Sequence, residues 1–182
     1  QEVFVLDLTY PAILDLFTEH LDPKRTESAA FLIWYLENYY RLDTLAAVDA
    51  VCDQRGDKGV DGIYVNEGDK TIDIFQCRIS QKKKSSIGDA PLREFRGTLT
   101  QFGDEKSIIN LIKSGGEAPV SQLVRRLDLP NKIPEYLIRG IFISNIDIDK
   151  NGSSFLETQP NIAFIGRKYL IESYISAKRA LP

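Results

Sequence analysis

The chain has no methionine, one histidine, one tryptophan and two cysteines in 182 residues, and each scarcity removes a class of explanation. Two thiols and a single imidazole do not make a zinc-ligand set, and His20 is far in sequence from both Cys52 and Cys77. Two cysteines in apolar stretches give no disulfide framework and suit a reducing compartment, so a cytoplasmic location is expected. No apolar run reaches membrane-spanning length and no signal-peptide pattern is present, so no membrane partner is expected. There is no Gly-rich phosphate loop, no Gly-x-Gly-x-x-Gly and no internal repeat, which leaves ATP use unsupported. A net charge of −3 and a pI near 5.3 lack the basic excess of a typical nucleic-acid binder, so any such surface has to come from local clustering. Because the chain starts at Gln1 and contains no methionine, it is expected to be a piece of a longer product with further domains.

What is present is a core and a patterned hairpin. With 43% hydrophobic residues, a chain of this length can form one domain burying roughly 70% of its unfolded surface. Residues 56–78, GDKGVDGIYVNEGDKTIDIFQCR, read as two strands around a polar turn. Alternation puts Asp61, Ile63 and Val65 on one side of the first strand, and Ile72, Ile74, Gln76 and Arg78 on one side of the second, with Asp73 and Cys77 opposite. A four-residue loop at 66–69 pairs Val65 with Lys70 and sets Asp61 across from Ile74, diagonal to Gln76. A slip of one residue would invert that relation. Asp57, Gly59, Asp61 and Gly62 also read as ordinary hairpin-opening residues. Gln76 is what tips the balance: a polar side chain closing an apolar strand on the face of Asp61 needs a partner.

GVDGI followed by IDIFQCR resembles the PD-(D/E)XK nuclease superfamily, particularly its Mrr-like and AIPR-type abortive-phage-infection branches, in which a Gly-x-Asp-Gly strand precedes a Gln-x-Lys strand. The likeness extends, more weakly, over roughly residues 27 to 180, through the helix carrying Phe31 and Trp34, the strand RGIFISN and the segment NIAFIGRKYLIESYI. It implies a restriction-endonuclease-like fold and Mg²⁺- or Mn²⁺-dependent hydrolysis of DNA phosphodiesters in prokaryotic defence. It also implies metal ligation by Asp61, by the amide oxygen of Gln76 and by an acid on the first helix, for which Glu27 is the first choice and Glu37 the second. Nucleases of this type often pair subunits, so a homodimer is possible.

At one position the chain departs from the pattern. Arg78 stands where the family has lysine, and a guanidinium keeps its proton at working pH, so it can steady phosphate charge but cannot act as a base. Lys82, Lys83 and Lys84 begin four residues on, about 13 Å along an extended strand, too far to replace it without a bend. With Arg93 and Arg96 they form the basic cluster expected to contact nucleic acid, though a lysine run also reads as a solvated surface. The competing function is a nuclease-like module that has lost catalysis and binds nucleic acid or a partner protein. A purely structural amino-terminal domain is the third.

The remaining chain fits an α/β fold with a mixed sheet flanked by helices. Residues 1–26 are expected to form an amino-terminal extension with a short helix after Pro11, and 27–182 a single nuclease-like domain. ESAAFLIWYLENYY is apolar nearly all round and is expected to be a buried helix capped by Thr26, where Glu27 also suits the helix dipole. LAAVDAVCD reads as a first strand, the stretch from Pro91 to Gly116 as a helix broken near Gly97 or Gly103, and VSQLVRRLDL as another helix. EYLIRGIFISN reads as a strand buried on both faces, NIDIDKNGSSFLETQPN as a loop, NIAFIG as a last strand, and RKYLIESYISAKRA as a closing helix with cations at its end.

Overall fold

A computed structural model of the chain describes residues 6–52 and 59–175. It is a mixed α/β structure with a four-stranded sheet in the order β1-β2-β3-β4: β1 Gly62–Asn66, β2 Thr71–Arg78, β3 Leu137–Ser144 and β4 Ile162–Ile165. The first pair is antiparallel and the other two are parallel. The helices are α1 Glu27–Tyr39, α2 Thr44–Asp49, α3 Asp89–Leu99, α4 Glu105–Gly115, α5 Pro119–Arg126, α6 Leu129–Lys132, α7 Lys150–Glu157 and α8 Arg167–Ser173, with 3₁₀ turns at Ala12–His20 and Thr100–Phe102.

The alternation of β2 separates two cores. Ile63, Ile72 and Ile74 pack with Phe142 and with Leu92, Phe95 and Phe155 of α3 and α7. Phe75, Cys77, Ile141 and Ile143 face the other way, against α1, Leu170 of α8, and Leu8, Ile13 and Phe17 from the amino-terminal segment. Gly140 in the middle of β3 lets α3 approach closely, since a Cβ there would lie 2.5 Å from a Leu99 methyl and 2.9 Å from the Phe95 ring. α1 forms as expected, with the Thr26 side chain accepting from the Ala29 amide and the residues from Ala29 to Leu36 all buried.

Three expectations are corrected. LAAVDAVCD is not a strand: Asp43 caps α2 by accepting from the Ala46 amide, and only Val51 bridges to Gly62 beyond it. A short apolar run does not separate the two states, and the cap decided it. The segment 145–161 is not all loop, because Asp149 accepts from the Gly152 amide and starts α7. The hairpin turn spans Glu67–Lys70, with Asn66 paired to Thr71 and Val65 to Ile72. This shifts the register by two residues, an even step that keeps Ile63 and Val65 on the face of Ile72 and Ile74. The helix break falls at 100–104, and the closing helix is described only to Ser173. The Asp57 turn reading and the cations Lys178 and Arg179 fall outside the described residues.

Candidate metal and phosphate site

The end of β2 meets the start of β1 in an arrangement set by two hydrogen bonds. The Asp61 amide donates to the Phe75 carbonyl at 2.8 Å, and the Asp61 carboxylate accepts from the Cys77 amide at 2.7 Å. Asp61 and Gly62 therefore both oppose Phe75, a bulge that ends the ladder, so Asp61 is not register-paired with Gln76 and its carboxylate is held instead at the Cys77 amide. The carbonyl of Asp61 is held in turn by the Cys52 amide at 2.7 Å. Gly62 is required beside it: a Cβ there would stand 2.8 Å from the Ala50 carbonyl and 2.9 Å from a Leu32 methyl. Burial, and then the nearby Asp61 carboxylate, push the Cys77 thiol well above its usual range, so it stays neutral and is no nucleophile.

Gln76 holds the most telling atom. Its Oε1 is buried and accepts no hydrogen bond, the one such side-chain atom among the described residues. An orphaned buried acceptor costs about 1–3 kcal/mol, and a donor or a cation would relieve it. Asp61 and Gln76 are both partly exposed, and Arg78, on the last residue of β2, is exposed. A carboxylate and an amide oxygen are, by type, the oxygen donors that a hard divalent cation takes.

Glu27 reaches the same end of the sheet from the opposite face. α1 runs antiparallel to β2, since Tyr40 donates to Asp73 and the Tyr35 ring packs edge-on against Phe75. Glu27 lies eight residues, ~12 Å, beyond Tyr35 along the helix, and Arg78 three residues, ~10 Å, beyond Phe75 along the strand, so the two come level. The Glu27 carboxylate accepts from the Tyr10 hydroxyl at 2.9 Å. Glu37 is committed elsewhere: it accepts from Thr44 at 2.6 Å and pairs with His20 Nε2.

Lys82, Lys83 and Lys84 are exposed on the loop after β2. Lys82 and Lys83 line a small cavity of about 40 Å³ with Tyr10, Asn145 and Arg167. Buried Asn145 builds it, donating to the Leu8 and Ser80 carbonyls at 3.0 Å and accepting from the Ser80 amide at 2.7 Å. Tyr10, Asn145 and Arg167 were not legible as site residues, because contacts between distant segments bring them here. Arg93 and Arg96 lie on α3, beyond the other face of the sheet.

A second titratable group was missed for the same reason. Glu19, His20 and Glu37 place one ligand atom each within 4.8 Å of one another. His20 is 5% exposed, and its pairing with Glu37, which Thr44 completes, joins the 3₁₀ segment to α1. With its Nε2 paired to Glu37 within the chain, it reads as a structural tie. No family model, no curated protein and no solved structure matches the chain. Among the described residues, no helix is long and apolar enough to cross a membrane.

Proposed function

We propose that the chain is a metal-dependent nuclease-like domain acting on DNA phosphodiesters, with Asp61 and Gln76 as its central metal ligands. The orphaned Oε1 of Gln76, one residue before the Cys77 amide that holds the Asp61 carboxylate, is the observation that carries this reading. Asp61 and the Gln76 amide oxygen would hold Mg²⁺ or Mn²⁺, while Glu27, on the opposite face of the sheet, would stand apart from that ion. A bound ion would supply charge neutralisation at the attacked phosphate and acidify a coordinated water. The chain's own groups do the rest. Arg78 is a fixed cation at the end of β2 and steadies phosphate charge without exchanging a proton. The Cys77 amide orients the Asp61 carboxylate. Lys82, Lys83 and Arg167 receive a neighbouring phosphate. The PD-(D/E)XK resemblance, with its role in cytoplasmic defence against foreign DNA, supports the same reading by analogy.

The second reading is a nuclease-fold module that binds nucleic acid or a partner protein without cutting. Arg78 in place of lysine favours it. Incubating plasmid DNA with the chain and Mg²⁺ or Mn²⁺, beside Asp61→Ala, separates the two. Metal-dependent cleavage that falls by about 100-fold or more in the variant is expected, the scale of losing a principal electrostatic group at a reacting phosphate. Binding without metal and without cleavage would replace the first reading with the second.

A further inference from the structure

Away from the end of β2, α3 and α7 enclose an open cleft of about 610 Å³, within the ~300–1,000 Å³ range of sites that take small ligands. Its floor is the buried Phe155 ring. The guanidinium carbons of Arg93 and Arg96, one helical turn apart on α3, stand 4.5 and 5.4 Å from that ring's centroid. Such cation–π contacts hold two flexible cations in place side by side, where their mutual repulsion favours an anion between them. Only one of the two charges is balanced. Arg93 Nε donates to Asp89 at 2.8 Å, whereas among the described residues Arg96 has no carboxylate partner. The facing wall is polar and uncharged: Asn151, Ser154 and Thr158 of the α7 segment are all exposed.

We propose that this cleft binds a single-stranded nucleic acid, the guanidiniums taking consecutive phosphates and offering their outer planes to unstacked bases while Asn151 and Ser154 meet base edges. Both cation and stacking surface are sequence-tolerant features of single-strand binding. A duplex keeps its bases paired and stacked inward and has none to lay against a guanidinium. α3 and α7 both start near the Ile87–Ile148 bridge, beyond the end of β3, so a strand in the cleft runs on toward the end of the sheet that carries Arg78. The proposal names the substrate form for the phosphodiester reading above and rests on it for direction only.

The test is fluorescence anisotropy of the full chain with a short labelled oligothymidylate and with a duplex of equal length, over a salt series without divalent metal. Tighter binding of the single strand is expected. Arg96→Ala should weaken it about tenfold and lower the slope of log affinity against log salt by about 0.7, one phosphate contact, with melting unchanged. Arg96→Lys, which keeps charge and loses the plane, should recover only part of that affinity. Single-strand binding unchanged in Arg96→Ala, or a duplex bound as tightly, would overturn the proposal, as would full recovery in Arg96→Lys. Asp61→Ala separates the two claims: it removes cleavage and leaves this binding intact if both hold. Cleavage lost with Asp61 but binding indifferent to Arg96 would sink the cleft alone. Binding lost with Arg96 but no metal-dependent cleavage would sink the nuclease reading alone.

Discussion

Asp73 and Gln76 sit three residues apart on β2, on opposite faces, and the protein treats them in opposite ways. Asp73 is 2% exposed and fully answered: Arg139, its cross-strand partner on β3, donates through Nε at 2.7 Å and Nη2 at 2.8 Å, and Tyr40 donates at 2.6 Å. Gln76 has a buried acceptor with no donor. A polar group that serves only the fold is paired within the chain, because desolvation without a partner costs more than the group returns. Where pairing stops, something outside the chain is the better explanation.

The largest stability effect should come from breaking the answered group. Asp73→Ala leaves the Tyr40 hydroxyl without its acceptor and releases the half-exposed Arg139 guanidinium to water, and urea unfolding should show a loss of about 2 kcal/mol. A loss below ~1 kcal/mol would make this an ordinary surface pair. A pH effect of intermediate size follows from the same face. Burial pushes the hydroxyls of Tyr35, Tyr39 and Tyr40 well above their usual range, and for Tyr40 the hydrogen bond to Asp73 adds to it. The folded state then binds protons that the unfolded state releases above pH ~10. Stability from these groups is complete below that pH and declines as pH rises through it, so melting temperature should fall on the alkaline side. Tyr40→Phe, which cannot ionise, should flatten part of that fall.

The smallest stability effect belongs to the unanswered group. Gln76→Met keeps the length of the side chain and removes the orphaned oxygen, so melting should be unchanged or raised, by about 0–1 kcal/mol at most. A clear destabilisation would mean that the amide has a structural partner.

The sequence made the central pieces of this arrangement legible because strand periodicity is a strong constraint. The alternation of TIDIFQCR separates the Asp73 and Gln76 faces, and the even register shift of the hairpin left the two-sided pattern of Ile63, Val65, Ile72 and Ile74 intact. Local chemistry outweighed that pattern in two places. Asp43 turned an apolar run into α2, and Asp149 started α7 inside a stretch whose Asp, Asn, Gly and Ser content resembles a loop. Neither the contact of Arg93 and Arg96 with Phe155 nor the meeting of Tyr10 with Glu27 has a local signal, since each joins segments far apart in the chain.

Divalent-metal binding tests the central claim most directly. Isothermal titration of the full chain with Mn²⁺ should show one ion bound per chain, with binding lost in Asp61→Ala and weakened in Gln76→Met while that second variant melts no lower than the parent. No binding at millimolar Mn²⁺, or binding that ignores both substitutions, would contradict it.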